Sequence, residues 1–523
     1  MKILPILFFM ALVSCESTPQ PPNPTPIDTT TPAKGDLITE RPTHYPGFIP
    51  TSTTSKYHTA TPELNGINPK DAFVVTPNLG GWDKVNWSKG LILIKQGNYL
   101  SWGPLSIPVS GTKGNPIVVM YYSDKVEHAY KTDQIGKAVI IESFEQRKPL
   151  SYVTISGLTF KGNTWSKDGH KGSGGVFLAP GSSDVKIVNC FGWQWRGARL
   201  FGDRIVFQDN VVAGSPGIRG DHGGIGIHTT KEHGSYDCRI VGNEILDQNN
   251  LVGCPKDGKE DTLFQFVNGT VIADNDLYYT ADSWIEEDGK MYSCGGSAID
   301  IKNGSDDPIK PLIIEGNRIA YIYTNPPSKT CGDNNGKLGE GIILHKDARN
   351  TVIQNNAFYK ASRGIMIYSG INRGMNTYNV LVQNNLIHTI EETVKGSTGF
   401  AIHSATVGVD IINNTFIGCN RFTSEATKTK YRLDFRGNRY IGQLNGIPSS
   451  NSKVTVEDNI ISEASDIMLS DLVIPWHRFT GPDTLIIPSS VAGKDQLQKI
   501  GETYTQSQAA NYLQGVWFKD IEY

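Results

Sequence analysis

The sequence predicts an all-β protein, a right-handed parallel β-helix in which short strands stack coil upon coil. The main observation is a phrase that returns nine times: an apolar alternation, then usually Gly, Asn or Asp, then Asn, one further residue and another apolar one. Its asparagines are Asn210, Asn243, Asn275, Asn317, Asn356, Asn385, Asn414, Asn438 and Asn459. A phrase that recurs every 20 to 40 residues or so is typical of stacked repeats.

The second observation is the type of strand between the phrases. Segments such as 185–188 (VKIV) and 351–354 (TVIQ) alternate with period two and have no helical period. Strands stacked at this spacing cover each other's hydrogen-bonding edges. Asparagine suits the repeated turn because its short side chain tolerates tight turns and can bond the same amide one coil above and below.

The N-terminus predicts export. Residues 1–15 comprise a lysine, an apolar run and the segment LVSC, which resembles a bacterial lipoprotein signal in which Cys15 becomes lipidated and is the first mature residue. Residues 16–50 are rich in Pro and Thr and predict an extended tether. We therefore expect a folded body that is anchored to a membrane through Cys15.

Three further segments complete the predicted domain organisation. Residues 51–150 are expected to form an N-terminal cap and the first coils, and residues 151–462 the main β-helix. Residues 463–523 are expected to form a C-terminal cap of loops and a helix, because 496–513 have helical composition and an open solenoid edge needs cover.

Composition restricts the classes of partner and the chemistry of cysteine. The formal net charge of −3 over 523 residues does not indicate nucleic-acid binding. Outside the cytoplasm disulfides are permitted, and one pair among Cys254, Cys294 and Cys331 is expected, with the pairing left open. The cysteine spacings match no zinc motif.

A groove is predicted beside a second strand in each coil. If Ile301 and its equivalents point into the core, the residues that follow them form an outward row. That row is predicted to contain His228, Val267, Lys302, His345, Tyr368 and His403, and the preceding outward row to include Gln265 and Asp300. Insertions at about 249–261, 280–295 and 324–339 are expected to leave the solenoid on one edge and to form a wall beside this face.

The chain resembles a known group, the right-handed parallel β-helix proteins of the pectate lyase-like superfamily. The resemblance covers about residues 88–462 and rests on the asparagine phrases, on GNY at 97–99 with GTKGNPI at 111–117, and on AIDIK at 298–302. It implies modification of an acidic polysaccharide outside the cell, by a monomer. Together with the signal, the chain is similar to surface glycan-degrading lipoproteins of Bacteroidota, which implies the outer membrane or the cell surface.

The chemistry that this resemblance implies is β-elimination on a uronic-acid polymer. Such a reaction needs a neutralised carboxylate and a base that reaches the C5 proton. Lys302 is the candidate base, with His345 or Tyr368 as its partner, and Arg363 the candidate that neutralises the carboxylate. Members of the group often use calcium, for which Asp306 and Asp307 are the candidate ligands. The candidate substrate-binding residues are His228, Gln265, Asp300, Glu340, His403 and Trp284.

Other activities remain open. Glycoside hydrolysis needs two carboxyl groups, for which Asp300 and Glu340 on adjacent coils are candidates. An epimerase and a non-catalytic glycan-binding solenoid are further alternatives. The Lys and Arg spacing of the chondroitinase B and alginate lyase group cannot be matched residue by residue, and this departure leaves the lyase family open.

Overall fold

A computed structural model describes most of the chain between residues 72 and 462. The described residues are 72–122, 139–161, 175–193, 197–213, 224–248, 250–255, 265–279, 284–287, 290–293, 296–322, 339–345, 347–367, 378–390, 402–404, 407–417, 419, 433–441, 450 and 454–462. Cys15, the tether 16–50, Tyr368 and the predicted cap helix at 496–513 lie outside these residues.

Three parallel sheets contain nearly all of the strands. The first sheet comprises β1 (Phe73–Val75), β2 (Leu91–Ile94), β4 (Ile117–Tyr121), β7 (Ser151–Ser156), β10 (Ser183–Val188), β13 (Val206–Gln208), β16 (Arg239–Val241), β19 (Val271–Ala273), β24 (Leu312–Glu315), β27 (Thr351–Gln354), β30 (Tyr378–Gln383), β33 (Val407–Ile412), β35 (Leu433–Arg436) and β37 (Val454–Glu457).

The second sheet follows the first along each coil. It comprises β3 (Gly97–Asn98), β5 (Val139–Ile141), β8 (Thr159–Lys161), β11 (Phe191–Trp193), β14 (Val211–Ala213), β17 (Glu244–Leu246), β20 (Asp276–Tyr278), β25 (Arg318–Ile322), β28 (Ala357–Ala361), β31 (Leu386–Ile390), β34 (Thr415–Ile417), β36 (Arg439–Ile441) and β38 (Ile460–Ser462).

The third sheet closes the coil on its remaining side. It comprises β6 (Phe144–Gln146), β9 (Val176–Leu178), β12 (Ala198–Phe201), β15 (Ile225–His228), β18 (Val252–Cys254), β23 (Ile299–Ile301), β26 (Glu340–Leu344), β29 (Arg363–Ile367) and β32 (Ile402–Ser404). A separate antiparallel hairpin consists of β21 (Trp284–Glu287) and β22 (Lys290–Ser293). Short 3₁₀ helices occupy Pro77–Leu79, Trp82–Lys84, Trp87–Lys89 and Leu100–Trp102.

From β4 to β32 every coil visits the three sheets in the same order, and each strand of these sheets pairs in parallel with its equivalent one coil away. Aliphatic residues such as Ile314 and Ile353 pair in register and are fully buried, so the core is a column of stacked side chains. Parallel connections of this kind are right-handed. The predicted right-handed parallel β-helix is confirmed, and its first sheet already begins at Phe73.

The repeated asparagines form a continuous ladder at the turn between the first and second sheets. Asn317 is typical: its Nδ2 donates to Asn356 Oδ1 at 3.0 Å and to the carbonyl oxygen of Ile272 at 2.9 Å. Its own Oδ1 accepts from Nδ2 of Asn275 at 2.9 Å. The same pattern links every neighbouring pair from Asn210 to Asn459. All of these asparagines except Asn459 are buried, so satisfying their hydrogen-bonding groups stabilises the stack.

The residue before each ladder asparagine has a left-handed backbone, with φ between 53° and 70°. These residues are Asp209, Gly242, Asp274, Gly316, Asn355, Asn384, Asn413, Gly437 and Asp458. Glycine, asparagine and aspartate tolerate this conformation best, which explains why the phrase restricts this position to those three types. Where it is glycine, the preceding coil fills the space: a Cβ at Gly316 would lie 2.4 Å from the Oδ1 atom of Asp274.

The four cysteines in the described part of the chain are buried free thiols. Cys254 is a free, fully buried thiol, so the expected disulfide does not include it, and Cys294 and Cys331 lie outside the described residues. Burial raises the pKa of the Cys190 thiol to about 12. In the part of the chain that is described, no helix is long and apolar enough to span a membrane.

Candidate active site

The outward face of the third sheet carries the candidate residues in two rows. In β23, Ile299 and Ile301 are fully buried in the core, so Asp300 between them and Lys302 after them point to the other side. Asp300 pairs with Ile343 on the next coil, and Leu344, which pairs with Ile301, is followed by His345. The register therefore places Lys302 and His345 on adjacent coils, about 5 Å apart along the helix axis.

Three titratable side chains converge at this point. The Nζ atom of Lys302 lies 2.9 Å from Nε2 of His345 and 3.5 Å from Oδ2 of Asp300. The Nε2 atom of His345 lies 3.0 Å from Oδ1 of Asp300. Side-chain exposure is 17% for Lys302, 24% for His345 and 10% for Asp300, so the two nitrogen groups are accessible whereas the carboxylate is largely covered. We call these three residues the Lys–His–Asp cluster.

The contacts within the cluster require two alternative proton positions. An ammonium group can only donate, so the contact from Lys302 requires an unprotonated Nε2 on His345. The contact between Nε2 and Asp300 becomes an ion pair only when the imidazole of His345 is protonated. A cluster with both contacts in reach can hold an imidazole that is ready to accept a proton and a carboxylate that stabilises the imidazolium once formed.

A buried polar network lies behind the cluster. The Nδ2 atom of Asn250 donates to Oδ2 of Asp300 at 2.9 Å, and Oδ1 of Asn250 accepts from the backbone N–H of Ser297 at 3.1 Å. The Ser297 hydroxyl donates to Oε2 of Glu340 at 3.0 Å, and Oε1 of Glu340 lies 3.7 Å from Nη1 of Arg363. All five residues are at most 8% exposed. The opposite charges of Glu340 and Arg363 are buried together, so each offsets part of the desolvation cost of the other.

This network contains two residues for which other roles were predicted. Arg363 lies next to Glu340 and has a side-chain exposure of 9%, which directs its charge into the protein instead of toward a substrate carboxylate. Glu340 is likewise engaged by Ser297 and Arg363. Residue alternation predicted Glu340 on the inward side at a strand start, but it could not reveal that Arg363 lies opposite it.

One strand of the predicted face was assigned to the wrong segment. The predicted places of Gln265 and Val267 in the outward rows put the third-sheet strand of their coil at 262–266. The strand that takes this place is instead β18, which pairs with β15 and β23. The insertion of this coil therefore follows the strand instead of preceding it. Gln265 accordingly lies in an exposed loop, where its Nε2 donates to the carbonyl oxygen of Lys231, and Val267 is buried outside the predicted row. The short β18 contains glycine and gives a weaker sequence signal than 262–266.

Of the two predicted histidines at the ends of the row, one lies in the row but is buried, and the other lies in the neighbouring row. His228 does lie in the row of Lys302, but it is 2% exposed and its ring packs on Phe201 with centroids 5.0 Å apart. His403 pairs with Met366, which places it in the row of Asp300 instead of that of Lys302. The shift arises because β32 aligns Ile402 with Ile365.

The predicted calcium ligands belong to a turn. Oδ1 of Asp306 accepts from Nδ2 of Asn268 at 2.6 Å, and Oδ1 of Asp307 accepts from the backbone N–H of Ile309 at 2.9 Å. Within the described ranges no group of three or more His, Cys, Asp or Glu side chains is placed to hold a metal ion. Calcium binding by Asp306 and Asp307 stays a prediction.

One predicted residue, Trp284, lies in the insertion before β23, and two residues that contact the site, Asn250 and Ser297, were not predicted. The backbone of Trp284 opens the β21–β22 hairpin, opposite Ser293, at the insertion before β23. Asn250 and Ser297 were not predicted. They are separated by 47 residues and stand just before β18 and β23, where no local pattern marks them. Only the stacking of coils brings Asn250 to Ser297 and Asp300.

The chain matches no protein-family model and no curated protein sequence. Among solved structures it is similar to a mannuronic acid-specific polysaccharide family 6 lyase from human gut microbiota, at 14% identity and a TM-score of 0.41, covering 84% of this chain and 98% of that one. It is also similar to the surface adhesin PfbA of Streptococcus pneumoniae, at 12% identity and a TM-score of 0.41, covering 72% and 83%.

A third similar structure is a mutant of the polysaccharide lyase family 6 alginate lyase AlyGC, at 13% identity and a TM-score of 0.46, covering 75% of this chain. The chain spans about half the length of that lyase, 51%. Because both lyases and an adhesin have this similarity, it does not distinguish catalysis from binding.

Proposed function

We propose that this chain is a polysaccharide lyase that cleaves a uronic-acid-containing polysaccharide by β-elimination, with the Lys–His–Asp cluster as its catalytic centre. The observation that carries the proposal is the pair of contacts at His345 Nε2, to Lys302 at 2.9 Å and to Asp300 at 3.0 Å. A basic nitrogen, a cation and a carboxylate within direct contact on an accessible face are the groups that this elimination needs.

In the proposed mechanism the roles of the two basic residues follow from their charge. At neutral pH a lysine side chain is ordinarily a cation and a histidine side chain mostly neutral. The ammonium group of Lys302 therefore pairs with the uronate carboxylate and stabilises the negative charge that develops there. The proposed base is therefore His345. The sequence alone had indicated Lys302 as the base and His345 as its partner.

Substrate binding itself would activate the base. When the substrate carboxylate attracts the ammonium group of Lys302, Nε2 of His345 loses its hydrogen-bond donor and presents its lone pair to the C5 proton. The electrons of the C5–H bond form the C4–C5 double bond, the C4–O4 bond breaks, and its electrons pass to O4, which takes a proton. Asp300, 3.0 Å away, then stabilises the imidazolium. Tyr368, predicted in the same row, is the candidate donor of the O4 proton.

The burial of Glu340 supports elimination over hydrolysis. Hydrolysis needs two carboxyl groups that flank the glycosidic bond. Glu340 is 4% exposed and engaged by Ser297 and Arg363, so it is poorly placed to serve with Asp300.

The test uses the full-length chain in detergent against pectate, alginate, chondroitin, dermatan, ulvan and carrageenan. Ultraviolet absorbance of unsaturated ends is followed beside reducing ends, with and without EDTA, which also tests calcium. Absorbance that rises with reducing ends, and that is lost in Lys302→Ala and His345→Ala, is expected. Matched controls are Lys310→Ala, an exposed lysine, and His233→Ala, an exposed histidine. Reducing ends without absorbance, or binding without cleavage, would overturn the proposal.

A further inference from the structure

We infer that Asn250 is a positioning residue of this site, whose side-chain amide orients the Asp300 carboxylate toward Lys302 and His345. The kinetic part of this inference rests on the proposed function, and the part that concerns the contact itself does not. The starting point is the orientation of the Asn250 amide. Its Oδ1 accepts from the backbone N–H of Ser297 at 3.1 Å, and its Nδ2 donates to Asp300 at 2.9 Å. A flipped amide would lose both bonds, so only the nitrogen faces the carboxylate.

The two oxygens of Asp300 have different partners. Oδ2 accepts from Asn250 and lies 3.5 Å from Lys302, whereas Oδ1 lies 3.0 Å from Nε2 of His345. A carboxylate is free to rotate unless its oxygens are held. By holding Oδ2, the amide of Asn250 directs Oδ1 to the imidazole, and it stabilises a carboxylate that is only 8% exposed.

The amide is anchored in turn to a buried ion pair on the following coils. The backbone of Ser297 holds Oδ1 of Asn250, while the Ser297 hydroxyl donates to Glu340, which lies beside Arg363. The anchor therefore spans the strands β18, β23, β26 and β29. This arrangement assigns a function to the buried charges of Glu340 and Arg363, namely to hold the side of the site that faces the core.

Close approach of the coils assists the same geometry. The neighbour of Asp300 on the preceding coil is Gly253, and a Cβ at that position would lie 2.5 Å from the carbonyl oxygen of Asp300. Without a side chain there, the strand of Asp300 stacks directly on β18, and Asn250, two residues before β18, comes within reach of its carboxylate.

The contact is tested by exchanging the two partners in the full-length chain. Asn250→Asp alone places two carboxylates together and is expected to lower the Tm. The double variant Asn250→Asp, Asp300→Asn again has one amide facing one carboxylate, but the amide that donates is now at position 300. This variant is expected to recover most of the lost Tm. The single variant Asp300→Asn is measured as well. If the Tm losses of Asn250→Asp and Asp300→Asn simply add in the double variant, the contact is absent and the inference fails. This result needs no substrate.

Kinetics then separate positioning from a merely structural role. Asn250→Ala is expected to lower kcat about tenfold with KM changed by less than about twofold, because the amide holds Asp300, which stabilises the protonated base, and does not contact the substrate. The double exchange is expected to recover Tm without recovering kcat, since the carboxylate then lies at position 250. Asn78→Ala, on an exposed asparagine of the 3₁₀ helix Pro77–Leu79, serves as the control. An unchanged kcat in Asn250→Ala would overturn the inference, whereas a wild type inactive on every polymer would overturn the proposed function alone.

Discussion

The Nζ atom of Lys302 and the Nε2 atom of His345 lie 2.9 Å apart although 43 residues separate them in the chain. The contact arises because β23 and β26 stack in register and each strand ends just before the basic residue. A base and a cation are thereby held on neighbouring coils, in front of one carboxylate. The predictions that follow test this arrangement and the fold that supports it.

The first prediction concerns the base. His345→Ala is expected to lower kcat/KM by about 10²- to 10⁴-fold, the usual contribution of a general base. Added imidazole is expected to restore part of the rate, because a small base can enter the space of the deleted ring. Steady-state rates measured across an imidazole series check this.

The comparison with Lys302→Ala makes the assignment specific. Imidazole should not restore that variant, because it lacks the cation and retains the base. Rescue of Lys302→Ala by imidazole, with none for His345→Ala, would reverse the two roles.

The second prediction concerns the asparagine ladder. Asn317→Ala leaves buried groups of Asn275 and Asn356 without their partners and is expected to lower the free energy of unfolding by about 2–5 kcal/mol. Asn459→Ala, at the half-buried last rung, is expected to cost about 1 kcal/mol, since water can replace the lost bonds. Urea denaturation of the two variants checks the difference, and equal losses would contradict a ladder whose effect depends on burial.

The third prediction concerns pH. Burial raises the pKa of Glu315 above its ordinary value, although hydrogen bonds from Gln354 and Asn355 oppose the shift. The folded state therefore holds this proton more tightly than the unfolded state, and stability falls as pH rises from the unfolded pKa through the raised one. Glu315→Gln is expected to remove this loss.

Thermal unfolding of Glu315→Gln from pH 4 to 9 gives the check. The wild type should lose more stability than the variant as the pH rises above the unfolded pKa of the carboxyl group. Parallel curves would show that the carboxyl group titrates in the same way in the folded and unfolded states.

The fourth prediction concerns the anchor. If Cys15 is lipidated, the chain expressed in a Gram-negative host should incorporate labelled palmitate and enter the detergent phase on phase separation. Cys15→Ser should abolish both. Label that persists in this variant would place the modification elsewhere and remove the argument for a lipoprotein.

Much of the fold could be predicted because its signals are periodic. The asparagine phrase marks the turn between the first and second sheets, and the left-handed backbone at Asp209 or Gly316 explains the residue types that precede it. Period-two alternation likewise located β23 and β26 and thus the pair Lys302 and His345. The signal was weak at β18, where a three-residue strand with a central glycine shows little alternation.

The sequence by itself determined the stacked coils, the buried ladder and the presence of basic residues on one outward face, because these depend on local alternation and on turn geometry repeated many times. Only the tertiary structure decided which groups face each other: that Asp300 lies between Lys302 and His345, that Asn250 holds Asp300, and that Arg363 is engaged by Glu340. Such contacts join residues on different coils. Their distances depend on the register and on insertions of unequal length, and no local pattern records either.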